Sequence, residues 1–135
     1  MSDKEKLDGR PLGVGGSGSL KPDEFGVFLG IASWLMSMSK EHKDLPFSTL
    51  DERVLPAILF KQFKLIRKDG MPVAFISWAT VSEEIKAAWD SGEKTALKLE
   101  EWRSGPKLIV VECVSPFAPA VKIKEQFITE ILKAA

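Results

Sequence analysis

From Asp23 onward the chain alternates apolar stretches with short polar breaks, and each stretch carries its own period. The stretch FGVFLGIASWLMSMS, preceded by Asp23 as a plausible N-cap, predicts a helix. Gly26, Gly30, Ser33 and Ser37 recur at four, three and four, so they share a face, while Phe25, Phe28, Leu29, Trp34, Leu35 and Met36 cover most of the remaining circumference. Such a helix is expected to be buried on nearly all sides, packed on a sheet. A membrane or a second copy of the chain, as in a homodimer, is the sharper alternative for a face of small residues.

The stretch SKEHKDLPFSTLDERVLPAILF reads as a polar loop, then a short helical or turn-rich piece ending at Pro56. Phe63 to Arg67 and Val73 to Trp78 read as strands joined through Lys68-Asp69-Gly70, and Asp-Gly supplies the positive φ that a tight hairpin requires. Ser82, followed by Glu83, Glu84, Ile85, Ala88 and Trp89, opens a capped helix that stops near Gly92, and a short helix or turn can cover Ala96 to Trp102. Lys107 to Ser115 is a β-branched run that predicts a strand buried on both faces. Pro119 stands where a last amphipathic helix, Ala120 to Lys133, begins, with Ile123, Phe127 and Ile131 as its apolar stripe. The order helix, hairpin, helix, strand, helix predicts an α/β (α+β) domain with a mixed, mostly antiparallel sheet and helices packed on it.

Composition narrows the class. At 135 residues, with 44% apolar and 28% charged residues, the chain has the size and make-up of one soluble domain. Five of its ten glycines fall in the first eighteen residues, where no apolar stripe exists, so residues 1–22 are expected to be disordered and residues 23–135 to form the domain. The GVGGSG run within that segment lacks the Gly-Lys-Ser/Thr ending of a phosphate loop and has no strand before it, so it reads as a linker. Nineteen basic and nineteen acidic residues cancel, which argues against nucleic acid as a partner and leaves only local patches for charged ones. Lys61, Lys64, Arg67 and Lys68 form one such patch, and Lys107, Lys122 and Lys124 another. One cysteine and one histidine are too few for a disulfide framework or a zinc site, so no metal is expected. The longest mostly apolar stretch, Phe25 to Met38, falls short of the roughly 20 residues a membrane span needs. Without a secretory leader, the chain is expected to be cytoplasmic.

Two side chains stand out chemically. Glu112 interrupts Leu108-Ile109-Val110-Val111-Glu112-Cys113-Val114, where every neighbour points to burial. An ionised carboxylate there costs several kcal/mol unless it gains a partner, a raised pKa or an opening in the sheet. A strand end reaching solvent or a structural ion pair accounts for it equally well. His42 is the only side chain of a type that titrates near neutrality, at about 6.5, and is therefore the candidate general base. Its neighbours Lys40, Glu41, Lys43 and Asp44 instead describe an exposed loop and a bystander. Were His42 and Glu112 to meet, they would form a base with an orienting carboxylate. Strand alternation turns Cys113 away from Glu112, so the thiol reads as a buried core group rather than a nucleophile.

The segments Leu29-Gly30-Ile31-Ala32-Ser33-Trp34-Leu35, His42, Val54-Leu55-Pro56-Ala57-Ile58, Pro72-Val73-Ala74-Phe75-Ile76-Ser77-Trp78-Ala79, Glu101-Trp102-Arg103-Ser104-Gly105 and Ser115-Pro116-Phe117 together resemble the RTX toxin-activating lysine acyltransferases, the hemolysin-activating family. They follow the family's order at nearly its spacing over about ninety residues, Leu29 to Phe117. The resemblance implies a cytosolic enzyme of GNAT-like fold that moves a fatty acyl chain from acyl carrier protein to lysine ε-amines of an RTX-type protoxin. It places the family's catalytic histidine on His42, its catalytic aspartate on Glu112, and an auxiliary serine on Ser39. The chain departs from the family in having Glu in place of Asp, in the sequence Ser39-Lys40-Glu41-His42, and in ending at Ala135 where longer relatives continue.

Under this resemblance the reaction is attack of a lysine amine on a thioester. Only about one lysine in several thousand is neutral at pH 7, so a base is required. His42 would take the proton, Glu112 would orient the imidazole, and N–H groups of a splayed strand would hold the oxyanion. No bound cofactor is implied, because the acyl group arrives on the carrier's own phosphopantetheine. Two rivals remain: a non-catalytic relative that binds carrier or toxin, and a thioesterase using His42 with water or Cys113.

Overall fold

The computed structural model describes residues 20–134. The segment expected to be disordered, with its GVGGSG run, falls almost entirely outside them; at its inner end Leu20 already packs on the core and Pro22 opens a helix. The elements in order are α1 (Pro22–Met38), a π-helical turn (Leu50–Val54) continuing into α2 (Leu55–Leu59), β1 (Phe63–Lys68), β2 (Met71–Val81), α3 (Glu83–Asp90), a 3₁₀ turn (Leu99–Glu101), β3 (Lys107–Val114) and α4 (Ala120–Ala134). The three strands form one antiparallel sheet in the order β1-β2-β3, to which Arg103 adds a single parallel bridge at Thr80. The result is the expected α+β layering.

The hairpin turns at Asp69 and Gly70, whose φ angles of 53° and 80° are the two positive values an Asp-Gly turn provides. Ser82 caps α3 as expected, its Oγ accepting the Ile85 N–H at 3.2 Å, and Gly92 ends the segment at φ 83°. At α1 the cap differs from expectation. The helix starts one residue before Asp23, with Lys21 as N-cap, Pro22 in the first turn and Glu24 Oε1 accepting the Lys21 N–H at 3.1 Å. Pro22 is preset for the first helical turn, which moves the start upstream.

Each sheet face carries its own core. On one face Phe28, Ala32, Leu35 and Met36 of α1 meet Val54, Ala57, Ile58, Phe63, Phe75 and Trp102. On the other, Ile123 and Phe127 of α4 cover Ala74, Ile76, Trp78 and Cys113, with Ile131 packed beside them. The expectation that α1 is buried all round is corrected here. The sheet offers it a single face, so Gly26, Gly30 and Ser37 lie exposed and Trp34 is 43% exposed. At the glycines of the small-residue stripe nothing packs closely: an added Cβ at Gly26 or Gly30 would meet nothing within 4 Å. The helical piece expected to stop at Pro56 runs through it to Leu59. Pro56 has no N–H to continue a regular ladder, and the chain meets it by widening: the Leu55 N–H reaches back to Leu50 O, five residues away.

The basic patch on the hairpin is partly spent in the fold. Lys64 Nζ pairs with Glu130 at 2.9 Å and Arg67 Nη1 donates to Gly70 O at 2.9 Å. Among the described residues no helix is long and apolar enough to cross a membrane.

Candidate active site

The site is built where β3 breaks its alternation. Ile109 and Val111 face the α1 side, Leu108 and Val110 the α4 side, yet Cys113 also faces α4 and Val114 faces α1. The phase slips at a bulge: Ser77 pairs with Glu112 but Trp78 with Val110, leaving Val111 extra. The slip swings Glu112 onto the α1 side of the sheet, next to the loop that follows α1, while Cys113 keeps its expected place on the far face.

That loop is not the exposed one its charges suggested. His42 is 8% exposed and Ser39 1%, although Lys40, Glu41, Lys43 and Asp44 all face solvent. Turn bonds from His42 N–H and Lys43 N–H to Ser39 O (3.1 and 2.8 Å) curl the segment so that residues 39 and 42 point inward. Both imidazole nitrogens are engaged: Nε2 lies 2.7 Å from Glu112 Oε1, and Nδ1 lies 2.6 Å from Ser39 Oγ. Ser39 Oγ also lies 3.2 Å from Glu41 Oε1. The structure thus brings together the three residues singled out from the sequence.

Burial alone pushes the Glu112 carboxyl up, but the hydrogen bond and charge of His42, the Arg53 guanidinium and the Cys113 N–H outweigh it and hold Glu112 below its ordinary range. An ionised Glu112 is an acceptor only, so Nε2 carries a hydrogen in either state of the ring; where the ring is neutral, Nδ1 is the lone-pair atom and accepts from Ser39. The Cys113 N–H donates to Glu112 Oε1 at 3.2 Å, so on this bulged segment it serves the carboxylate and not an oxyanion. Burial, with a further push from the Glu112 carboxylate and opposed by Lys124, raises the Cys113 thiol, which keeps it protonated and a poor nucleophile.

A cleft of about 660 Å³ opens over this cluster, lined among others by Glu41, His42, Glu52, Arg53, Glu112 and Lys124. A smaller apolar depression, lined by Met36, Leu45, Pro46, Phe47 and Leu50, reaches His42 as well. Among the described residues no group of three His, Cys, Asp or Glu side chains is arranged to hold a metal ion. Arg53 was not anticipated. It sits on the π turn, its Nη1 3.4 Å from Glu112 Oε2, and its only trace in the sequence is a charge just before Val54-Leu55-Pro56.

A profile of the RTX toxin acyltransferase family matches residues 22–135, nearly all of the domain. The chain belongs to the RTX toxin acyltransferase family. It is 37% identical over 89 residues to the protein-lysine myristoyltransferase RtxC of Kingella kingae, covering 66% of this chain and 53% of that protein. It is 31% identical over 110 residues to the RTX-I toxin-activating lysine-acyltransferase ApxIC of Actinobacillus pleuropneumoniae, covering 78% and 63%. With the protein-lysine myristoyltransferase HlyC of Escherichia coli the identity is 37% over 89 residues, covering 66% and 51%. The chain therefore spans about half to just under two thirds of the length of these family members.

Proposed function

We propose that the chain is a protein-lysine fatty acyltransferase that moves an acyl group from the phosphopantetheine thioester of an acyl carrier protein to a lysine ε-amine of an RTX-type protein, in the cytoplasm. The observation that carries this reading is the buried Ser39–His42–Glu112 chain, whose His42 and Glu112 line an open cleft. Its membership of a family whose members are named lysine acyltransferases supports the same chemistry.

In this reading His42 is the base and Glu112 orients it and stabilises its charged form. The lysine ammonium loses two protons overall. Loss of the first makes the amine nucleophilic, its nitrogen then bonds the thioester carbonyl carbon, and the C–S bond breaks. One proton departs with the carrier thiol and the other goes to solvent. Ser39 suits both states of the ring. Its O–H donates to Nδ1 of the neutral imidazole, so the amine's proton reaches Nδ1 by relay: Glu41, which lines the cleft, takes it from the amine and passes it to Ser39 Oγ as the hydroxyl hands its own hydrogen to Nδ1, after which the same Oγ accepts from the protonated ring. The apolar depression beside His42, about 100 Å³, takes the first few methylenes of the alkyl chain while the amine enters through the polar cleft. Lys124 at the cleft is a candidate contact for the anionic carrier arm.

The test is transfer of labelled acyl from acyl carrier protein to a lysine-containing fragment of an RTX protein. Labelled protein amide supports the reading. Free fatty acid as the sole product would replace it with a thioesterase, and carrier binding without turnover would replace it with a binding module.

A further inference from the structure

We propose that Arg53 is a positioning residue for Glu112, holding one carboxylate oxygen so that the other stays on His42. The proposal rests on the transfer reading above. It starts from the carboxylate itself, a glutamate on a three-bond arm whose two oxygens can swing unless both are held, and an orienting group misplaced by about 1 Å can cost on the order of 10²-fold in rate.

The structure supplies two compensations. The bulge at Val111 turns Glu112 toward the loop of His42. Arg53 then meets the second oxygen, Oε2, at 3.4 Å while Oε1 lies on His42 Nε2. That contact is long for a hydrogen bond, so its value lies in a fixed charge rather than in a short donor. Arg53 is itself fixed at both ends. Its carbonyl is 3.5 Å from Ser77 Oγ, on the residue paired with Glu112 across the sheet. Its guanidinium donates to Thr95 O at 2.7 Å and to Val111 O at 3.3 Å, and lies over the Trp89 ring at 5.9 Å. A planar fork reaches three acceptors on two segments at once; a lysine would keep the charge but could not span them. The widened π turn at Leu50–Val54 is what brings Arg53 to this position, as such turns do at functional sites.

The other charged or polar groups around the carboxylate do not duplicate this role. The Cys113 N–H and His42 both bond Oε1; Glu41 and Glu52 line the cleft with the same sign as Glu112; Lys124, the other cation lining it, acts on Cys113.

The experiment compares Arg53→Met and Arg53→Lys, alone and with Glu112→Gln, in acyl transfer from carrier to lysine. Arg53→Met should lower kcat about 10- to 100-fold with KM within about twofold, and should move the acid limb of the pH–rate profile to higher pH, because Glu112 loses a cation that favours its ionised form. Arg53→Lys should restore the acid limb but not the full rate. With Glu112→Gln already present, Arg53→Met should cost less than about twofold more. A second readout needs no turnover: the sole histidine gives one imidazole signal by NMR, and its Nε2–H resonance should shift or broaden in Arg53→Met and recover in part in Arg53→Lys, with thermal unfolding recorded alongside. Equal losses with and without Glu112→Gln, an unmoved acid limb, or an unmoved imidazole signal would overturn the role of Arg53. If the unmodified chain transfers no acyl group, the transfer reading fails and the imidazole signal alone decides whether Arg53 positions the pair.

Discussion

Glu112 stands opposite Ser77 on the neighbouring strand, one residue past the bulge at Val111, so both side chains face the layer that carries His42. Without the extra residue, strict alternation would send Glu112 into the apolar layer under α4, among Ile76, Trp78 and Phe127, where ionising a carboxylate is costly. The bulge thus converts an expensive position into a functional one. Ser77, fully buried between Ile76 and Trp78, belongs to the same arrangement, since its Oγ is within 3.5 Å of the Arg53 carbonyl.

His42→Gln and His42→Ala should each lower acyl transfer about 10²- to 10⁴-fold, as expected for loss of a general base. Because His42 is buried and hydrogen-bonded at both nitrogens, replacement should also cost stability, about 1–3 kcal/mol, by leaving Glu112 and Ser39 short of a partner. Transfer assays and thermal unfolding of the same variants check both halves. Unchanged activity would remove His42 from the mechanism.

Glu112→Asp should reduce transfer about 10- to 100-fold, because a carboxylate withdrawn by about 1 Å cannot keep both His42 and Arg53. Glu112→Gln should remove most of the activity, since an amide does not stabilise an imidazolium. An Asp variant faster than the parent chain would show that the longer arm is a defect and not an accommodated feature.

The pH dependence of stability follows from Glu112. Its carboxyl titrates below the ordinary 4.5 in the folded chain, so the unfolded chain binds the proton more readily. The contribution is fully present above about 4.5 and is lost as pH falls through the lower folded value. Glu101, held down chiefly by the Lys98 N–H, titrates in the same direction at the surface. Denaturant unfolding of the parent chain and Glu112→Gln should therefore diverge above about pH 4.5 and converge in acid. Parallel curves would mean that Glu112 gains nothing from its partners on folding.

Much of the fold is legible in the chain because local chemistry and long-range packing agree. Asp69-Gly70 fixes the hairpin, Ser82 caps α3, and Ile123, Phe127 and Ile131 make one stripe on α4. The burial of Glu112 is legible from its apolar neighbours. The burial of His42 is not, because its loop is charged at every other position and the inward turn depends on backbone bonds to Ser39 O. The bulge at Val111 has no local signature, as a run of β-branched residues looks the same with or without an extra member. Arg53 depends on a π turn that answers Pro56, and only the folded chain shows where that turn points. The exposed face of α1 is misread because small residues on a helix do not state whether a neighbour exists.

Gly105, the last residue of Glu101-Trp102-Arg103-Ser104-Gly105, gives a test of how the sheet side of the domain is assembled. The segment closes on β2 through Thr80 N–H to Trp102 O (3.0 Å), Ser104 N–H to Thr80 O (2.8 Å) and Gly105 N–H to Thr80 O (3.2 Å). It thereby seals the fully buried Trp102 into the core beneath α1. A Cβ at Gly105 would lie 2.6 Å from Ser82 N, Val81 C and Val81 O, all backbone atoms that cannot rotate away. Gly105→Ala should thus part the segment from β2 and cost about 1–3 kcal/mol, as overpacking does, with the loss read as a lower unfolding midpoint. Gly26→Ala is the matched control, since the added Cβ meets nothing within 4 Å and a helix interior gains from the exchange. It should leave stability unchanged or raise it by up to about 1 kcal/mol. If Gly105→Ala were as harmless as Gly26→Ala, the close approach of Gly105 to β2 would not be what holds Trp102 in place.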